Sequence, residues 1–208
     1  MTTIRLRSLF SLAGLGLALL LPAAALRAGA VEDATATLRG GVGEVLDIIY
    51  RVEDRDTLAA SLRPVLEKHF QFATTTRLAV GAGWRQFNAE QRARTTELFT
   101  DLVISTYTRR MTGDARPQID YLAGVELGKG KVELPTAVTY EGKRYSVNYR
   151  LSLEPATGAW RIYDVIIEGV SMVANYRGQF GAIYNRGGAA EIIKALENKS
   201  IETPVPTS

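Results

Sequence analysis

The sequence predicts an α+β domain, and three changes of period carry that prediction. Helical spacing of apolar residues runs from residue 34 to residue 107, two-residue alternation replaces it near residue 131, and helical spacing returns after residue 170. Helices first, a meander of about four strands, then closing helices place one face of a curved antiparallel sheet under helical cover, an arrangement that readily leaves a pocket between the layers.

The opening residues are set apart from the fold. Arg5 and Arg7 form a basic start, Leu9 to Leu21 an apolar run, and Ala28–Ala30 a small-residue cleavage site, so residues 1–30 read as a secretory signal peptide. The apolar run is too short to span a bilayer. The leader holds three of the 25 basic residues and no acid, which leaves 22 basic against 22 acidic residues beyond it. The basic balance of the whole chain therefore belongs to the leader and is no footprint for nucleic acid. Residues 31–202 are expected to form a single domain and residues 203–208, "TPVPTS", a disordered tail. Cysteine is absent, which excludes disulfides, zinc–thiolate centres and thiol catalysis. An exported domain without disulfides points to a bacterial periplasm.

Taken in order, Leu38, Val42, Val45 and Ile49 share one helical face in residues 34–51, with Gly40, Gly41 and Gly43 read as places of close packing. Residues 56–72 predict a second helix around Leu58, Leu62, Val65, Leu66 and Phe70, with Pro64 at a start or kink. Asn88 followed by Gln91 is a capping-box signature for the helix that reaches Tyr107. A strand near Ile119–Val125 is followed by "KVELPTAVTY" and, after a turn at Glu141–Gly142, by "RYSVNYRLSL", both alternating. Trp160 to Ile167 completes the sheet, and helices are predicted over 170–184 and 189–198.

Catalytic readings find little support. The one histidine, His69, has no nucleophile elbow to serve and cannot build a transition-metal site alone. Asp164 and Glu168 could form a hydrolytic pair, but four residues apart on a strand they stand about 13 Å apart, too far for a paired acid and base. Asp164 fits a sheet-edge acceptor or an arginine partner, and Glu168 fits the start of the next helix.

Residues 160–180 carry a family resemblance. Trp160, the Tyr163–Asp164 pair, "EGVS" at 168–171 and "NYRGQF" at 175–180 resemble the C-terminal signature of the MlaC, or toluene-tolerance, family of periplasmic phospholipid-binding proteins. Trp84 with "NAEQR" at 88–92, and the closing "EIIKAL", are similar to that family's central and terminal segments. The resemblance implies a non-catalytic carrier that needs no cofactor. It would hold a phospholipid between sheet and helices and shuttle it between outer and inner membranes, maintaining outer-membrane lipid asymmetry. The implied partners are an inner-membrane ABC transporter with an MCE-domain subunit and an outer-membrane lipoprotein complex. A hopanoid or other lipid is an alternative cargo, a non-lipid adaptor of a membrane transport complex an alternative role, and a secreted hydrolase using Asp164 or Glu168 the weakest reading.

The expected lining comes from the apolar strand face and the helices over it. It comprises Val138, Tyr145, Val147, Tyr149 and Leu151, then Tyr163, Val165 and Ile167 of the last strand, with Phe99, Val103, Val170, Val173 and Tyr176 from helices. Ordinary core is the competing account of each, because core and pocket lining share one pattern. Arg177 is the candidate for a phosphate headgroup or a partner's acid, with a surface salt bridge as the alternative.

Overall fold

The computed structural model describes residues 23–52, 54–109 and 115–202. Residues 1–22 of the expected leader and the expected tail at 203–208 lie outside the described residues. The elements are α1 (Ala23–Arg51), α2 (Arg55–His69), α3 (Phe72–Val80), a 3-10 turn (Gly81–Gln86), α4 (Ala89–Thr108), β1 (Gln118–Tyr121), β2 (Val125–Glu126), β3 (Lys131–Tyr140), β4 (Lys143–Leu153), β5 (Trp160–Ile167), β6 (Val170–Ser171) and α5 (Met172–Glu197). The α+β class is as the periodicity implies. The sheet is antiparallel in the order β1-β3-β4-β5-β6, with β2 also on β3. It has six strands rather than about four, because two are only two residues long and carry no readable alternation.

Local chemistry explains most boundaries. Asn88 Oδ1 accepts from the Gln91 N–H at 2.8 Å and Gln91 Oε1 accepts from the Asn88 N–H at 3.0 Å, a complete capping box that starts α4. The hairpin between β3 and β4 turns on Glu141 and Gly142, both left-handed at φ +49° and +77°, as a two-residue turn requires. The helix expected over 56–72 instead stops at His69, where the Gln71 N–H donates to the Ile162 carbonyl at 2.8 Å and Phe70 pairs alongside β5. That bond covers part of the β5 edge and divides α2 from α3. The two closing helices expected over 170–184 and 189–198 are segments of α5, bent where Gly188 takes φ +65°.

In β5 the pairing slips: Arg150 lies opposite Asp164, but Leu151 lies opposite Ile162. Tyr163 is the extra residue of a bulge, and the alternation reverses across it. Asp164 consequently leaves the apolar face and turns to the other side, where it is buried at 3 % exposure. Its Oδ2 accepts from the Ser171 hydroxyl at 2.7 Å, its Oδ1 accepts from the Val173 N–H at 3.0 Å, and Arg150 Nη1 stands 3.5 Å away. Arg150 Nε in turn donates to Glu133 Oε2 at 2.8 Å. Ser171 Oγ also accepts from the Ala174 N–H at 3.0 Å as the N-cap of α5. The polar network ties β3, β4 and β5 to the first turn of that helix.

Glu168 does not begin the closing helix as expected. With Gly169 it forms a second left-handed turn, φ +49° and +79°, that leads into β6, and its carboxylate accepts from the Ser146 N–H. Asp164 holds the helix-start role instead.

Apolar packing divides among three clusters. Phe99, Tyr176 and Phe180 centre the helical one, with ring centroids at 4.8 and 5.3 Å from Phe99 in edge-on geometry. Leu38, Val132, Leu134, Leu151, Trp160 and Ile162 join α1 to the sheet, and Ile48, Ile49, Leu58 and Leu62 join α1 to α2.

Two substitutions test this scheme in urea unfolding. Asn88→Ala removes the cap of α4 and should lower stability by about 1 kcal/mol. Asp164→Ala strips Arg150 of one buried partner and leaves the Val173 N–H in the first turn of α5 without its acceptor, so a loss of roughly 2–4 kcal/mol is expected; an unchanged midpoint would show that the network does not hold the helix.

Candidate lipid-binding cavity

The inner face of the sheet is not fully filled by the helices that cover it. A cavity of about 370 Å³ lies between β3, β4 and β5 on one side and α1, α2 and α4 on the other, within the roughly 300–1,000 Å³ usual for small-molecule sites. The sheet contributes Ile119, Val138, Tyr140, Val147, Tyr149, Leu151, Trp160, Ile162, Val165 and Ile167, and Met172 follows at the start of α5. Opposite them, α1 supplies Leu38, Gly41, Val42, Val45, Leu46 and Ile49, while Leu66, His69, Phe70, Val103, Ile104 and Tyr107 close the sides. Among the described residues no Asp, Glu, Lys or Arg lines the space.

Exposure gives the cavity an axis. At one end Leu38, Leu151, Trp160 and Ile162 are all buried. Towards the other, Val138, Tyr140, Val147, Ile119 and Ile167 are half-buried and Tyr50 is 38 % exposed. The first end is the floor and the second the mouth.

The titratable groups at the wall are few. His69 packs its ring so closely on α1 that a Cβ at Gly41 would come within 2.9 Å of it. This is the close packing expected at that glycine, whereas Gly40 and Gly43 face open space. His69 Nε2 lies 3.3 Å from Glu44 Oε2, and Lys68 Nζ donates to the same carboxylate at 2.8 and 3.0 Å. The Lys68 hydrogen bonds, aided by His69, hold the Glu44 carboxyl below its ordinary range. His69 is thus a boundary residue that also touches the cavity. Burial, reinforced by the nearby Tyr121 phenol, pushes Tyr149 up to about 12.

Seven of the residues singled out in the sequence surround this space: Val103, Val138, Val147, Tyr149, Leu151, Val165 and Ile167. The others do not. Phe99 and Tyr176 fill the helical core, and Val173 is buried beside Asp164 through its N–H. Tyr163, as the bulge residue, lies on the opposite sheet face under Lys131 Nζ, 5.4 Å from its ring centre. Tyr145 shares the inner face but lies beyond the lining, and Val170 is 46 % exposed in β6. Arg177 donates from Nε to the Leu78 carbonyl at 2.8 Å and packs on Gly81, so it clamps α5 to the end of α3. Asp164 and Glu168 serve the helix start and a turn, and do not converge on a common substrate position.

The largest omission from the sequence reading is α1. Its apolar stripe of Leu38, Val42, Val45 and Ile49 was legible at helical spacing, but spacing does not say that the stripe faces a void. Phe70, Ile104, Trp160, Ile162 and Met172 were likewise visible only as apolar residues. No group of three or more His, Asp or Glu that could hold a metal occurs among the described residues. No helix among them is long and apolar enough to cross a membrane.

Comparison with known proteins agrees with this geometry. The solved structure of the phospholipid-binding protein from Ralstonia solanacearum, in complex with a phospholipid, is similar to this chain at a TM-score of 0.73 and 25 % identity, over 80 % of this chain and 96 % of that one. No curated protein matches the chain. A family model described as MlaC protein matches residues 42–198, a span that takes in all of the cavity wall except Thr37, Leu38 and Gly41. On that match the chain belongs to the MlaC family.

Proposed function

We propose that this protein is a non-catalytic carrier that holds a diacyl phospholipid in the cavity and shuttles it through the periplasm between outer and inner membranes. The observation that carries the proposal is an apolar cavity, open at one end, whose wall has no Asp, Glu, Lys or Arg among the described residues. Such a wall matches acyl chains and rejects ionised groups. The relative from Ralstonia solanacearum, described as a phospholipid-binding protein in complex with a phospholipid, supports the same reading.

Burial of acyl methylenes contributes about 0.8 kcal/mol each. Two chains would gain on the order of 20 kcal/mol gross, before the ordering of lipid and wall is subtracted. A lipid held on that scale leaves for a membrane complex rather than for water. As the family resemblance implies, delivery would involve an inner-membrane ABC transporter bearing an MCE-domain subunit, and loading an outer-membrane lipoprotein complex, which together serve outer-membrane lipid asymmetry. Secretion through a cleaved leader at residues 1–30 would place the carrier in that compartment.

Native mass spectrometry of the purified protein, followed by lipid extraction, is the test. A bound diacyl lipid near unit occupancy is expected; a protein that is always empty yet captures its membrane partner would replace the carrier with an adaptor. Val147→Glu and Val165→Glu each place a carboxylate in the apolar wall, and either should abolish occupancy in folded protein. Val170→Glu, by contrast, alters an exposed position outside the wall and should leave occupancy near that of the parent.

A further inference from the structure

We infer that the Tyr149 hydroxyl is the polar contact by which the cavity reads its ligand, donating a hydrogen bond to an ester carbonyl of the bound lipid. The inference rests on the lipid-binding reading above and adds to it a chemical selectivity, for acyl esters over alkyl ethers.

Two observations lead there. The first is hydrogen bonding. Of the tyrosines at the wall, Tyr50 donates to the Ala115 carbonyl at 2.5 Å, and Tyr107 and Tyr140 are engaged by other contacts. Tyr149 lines the cavity near the Tyr121 phenol, and no hydrogen bond from its hydroxyl to a described residue is formed. Tyr149 is half-buried, and a phenol facing an apolar space gains a hydrogen bond when a ligand brings an acceptor to it. Its proton is firmly bound, since burial pushes the group up to about 12, so the hydroxyl remains a neutral donor at any ordinary pH.

The second observation is depth. Along β4, Val147 lies opposite Ile167 near the mouth and Tyr149 opposite Val165, all four half-buried, while buried Leu151 lies opposite Ile162 at the floor. Tyr149 is two residues further in than Val147, or about 7 Å. No Lys or Arg among the described residues lines the wall to meet a phosphate, and His69, the one basic group there, faces Glu44, so the anionic headgroup stays at the mouth, in water. In a glycerophospholipid the ester carbonyls come one glycerol unit inside the phosphate, and the chains follow. That order brings a neutral, strong acceptor to the level of Tyr149 and methylenes to Leu151 and Ile162. An ether-linked lipid has the same chains and headgroup but lacks the carbonyl, and would leave the phenol unsatisfied.

The experiment equilibrates the delipidated protein with an equimolar mixture of a diacyl phosphatidylethanolamine and its dialkyl ether analogue of equal chain length. Native mass spectrometry then reads the ratio of the two complexes. The parent protein should favour the ester by roughly five- to ten-fold, the scale of one neutral hydrogen bond. In Tyr149→Phe that ratio should fall to near one, while thermal unfolding of the empty protein stays unchanged because no protein–protein bond has been removed. A parent without ester preference, a Tyr149→Phe variant that retains it, or a variant that loses both lipids together would each overturn the inference. A parent that binds neither lipid would overturn the carrier reading itself.

Discussion

The single extra residue at Tyr163 is the constraint on which the rest of this structure depends. Without it, β5 would present either Trp160, Ile162 and Asp164 or Tyr163, Val165 and Ile167 to one face, since strand side chains alternate strictly. The bulge lets Trp160 and Ile162 face inward together with Val165 and Ile167. It also turns Asp164 away from an apolar space where its charge would be costly. On the far side that carboxylate meets Ser171, the Val173 N–H and Arg150. One backbone irregularity therefore clears the wall of charge and anchors the helix that closes the fold.

A large helical core beside the cavity lets the sheet remain incompletely filled. Tyr176 and Phe180 pack edge-on against Phe99, and with Val80, Phe87, Ile183 and Ile192 they bury a core that meets the cavity only through members such as Val103, Ile104 and Met172. The α1–α2 pair has its own small cluster at Ile48, Ile49, Leu58 and Leu62. An empty apolar cavity costs stability in proportion to its size, and the burial within these clusters offsets that cost. The wall can then be shaped for a ligand rather than for the apo protein.

Polar groups are placed at the boundary of that wall according to what each must do. Glu44 ties Lys68 and His69 to α1 at the outer side of the helices, keeping two covering helices in register without introducing a carboxylate to the lining. Arg177 spends its guanidinium on the Leu78 carbonyl, at the junction of α3 and α5. Tyr149 alone among the wall tyrosines keeps a hydroxyl without a partner among the described residues, at a depth between mouth and floor.

The sequence by itself determined the period of each segment, and with it the α+β class, the capping box at Asn88 and Gln91, the hairpin at Glu141–Gly142 and the family signature at 160–180. Those features are local: each depends on residues within a turn or two of chain. It also determined which side chains are apolar, and Val147, Tyr149, Leu151 and Val165 followed from alternation alone. Tertiary structure decided which apolar faces meet one another and which meet a void. Phe99 and Val103 share a helix and a pattern, yet one ring is enclosed by Tyr176 and Phe180 while the other residue reaches the cavity. The stripe of α1 became the roof because of where the chain returned, and Tyr163 left the wall because of one slipped pair with β4. The hydrophobic effect has no direction, so apolar spacing states that a face will be covered, and only the packed fold says by what.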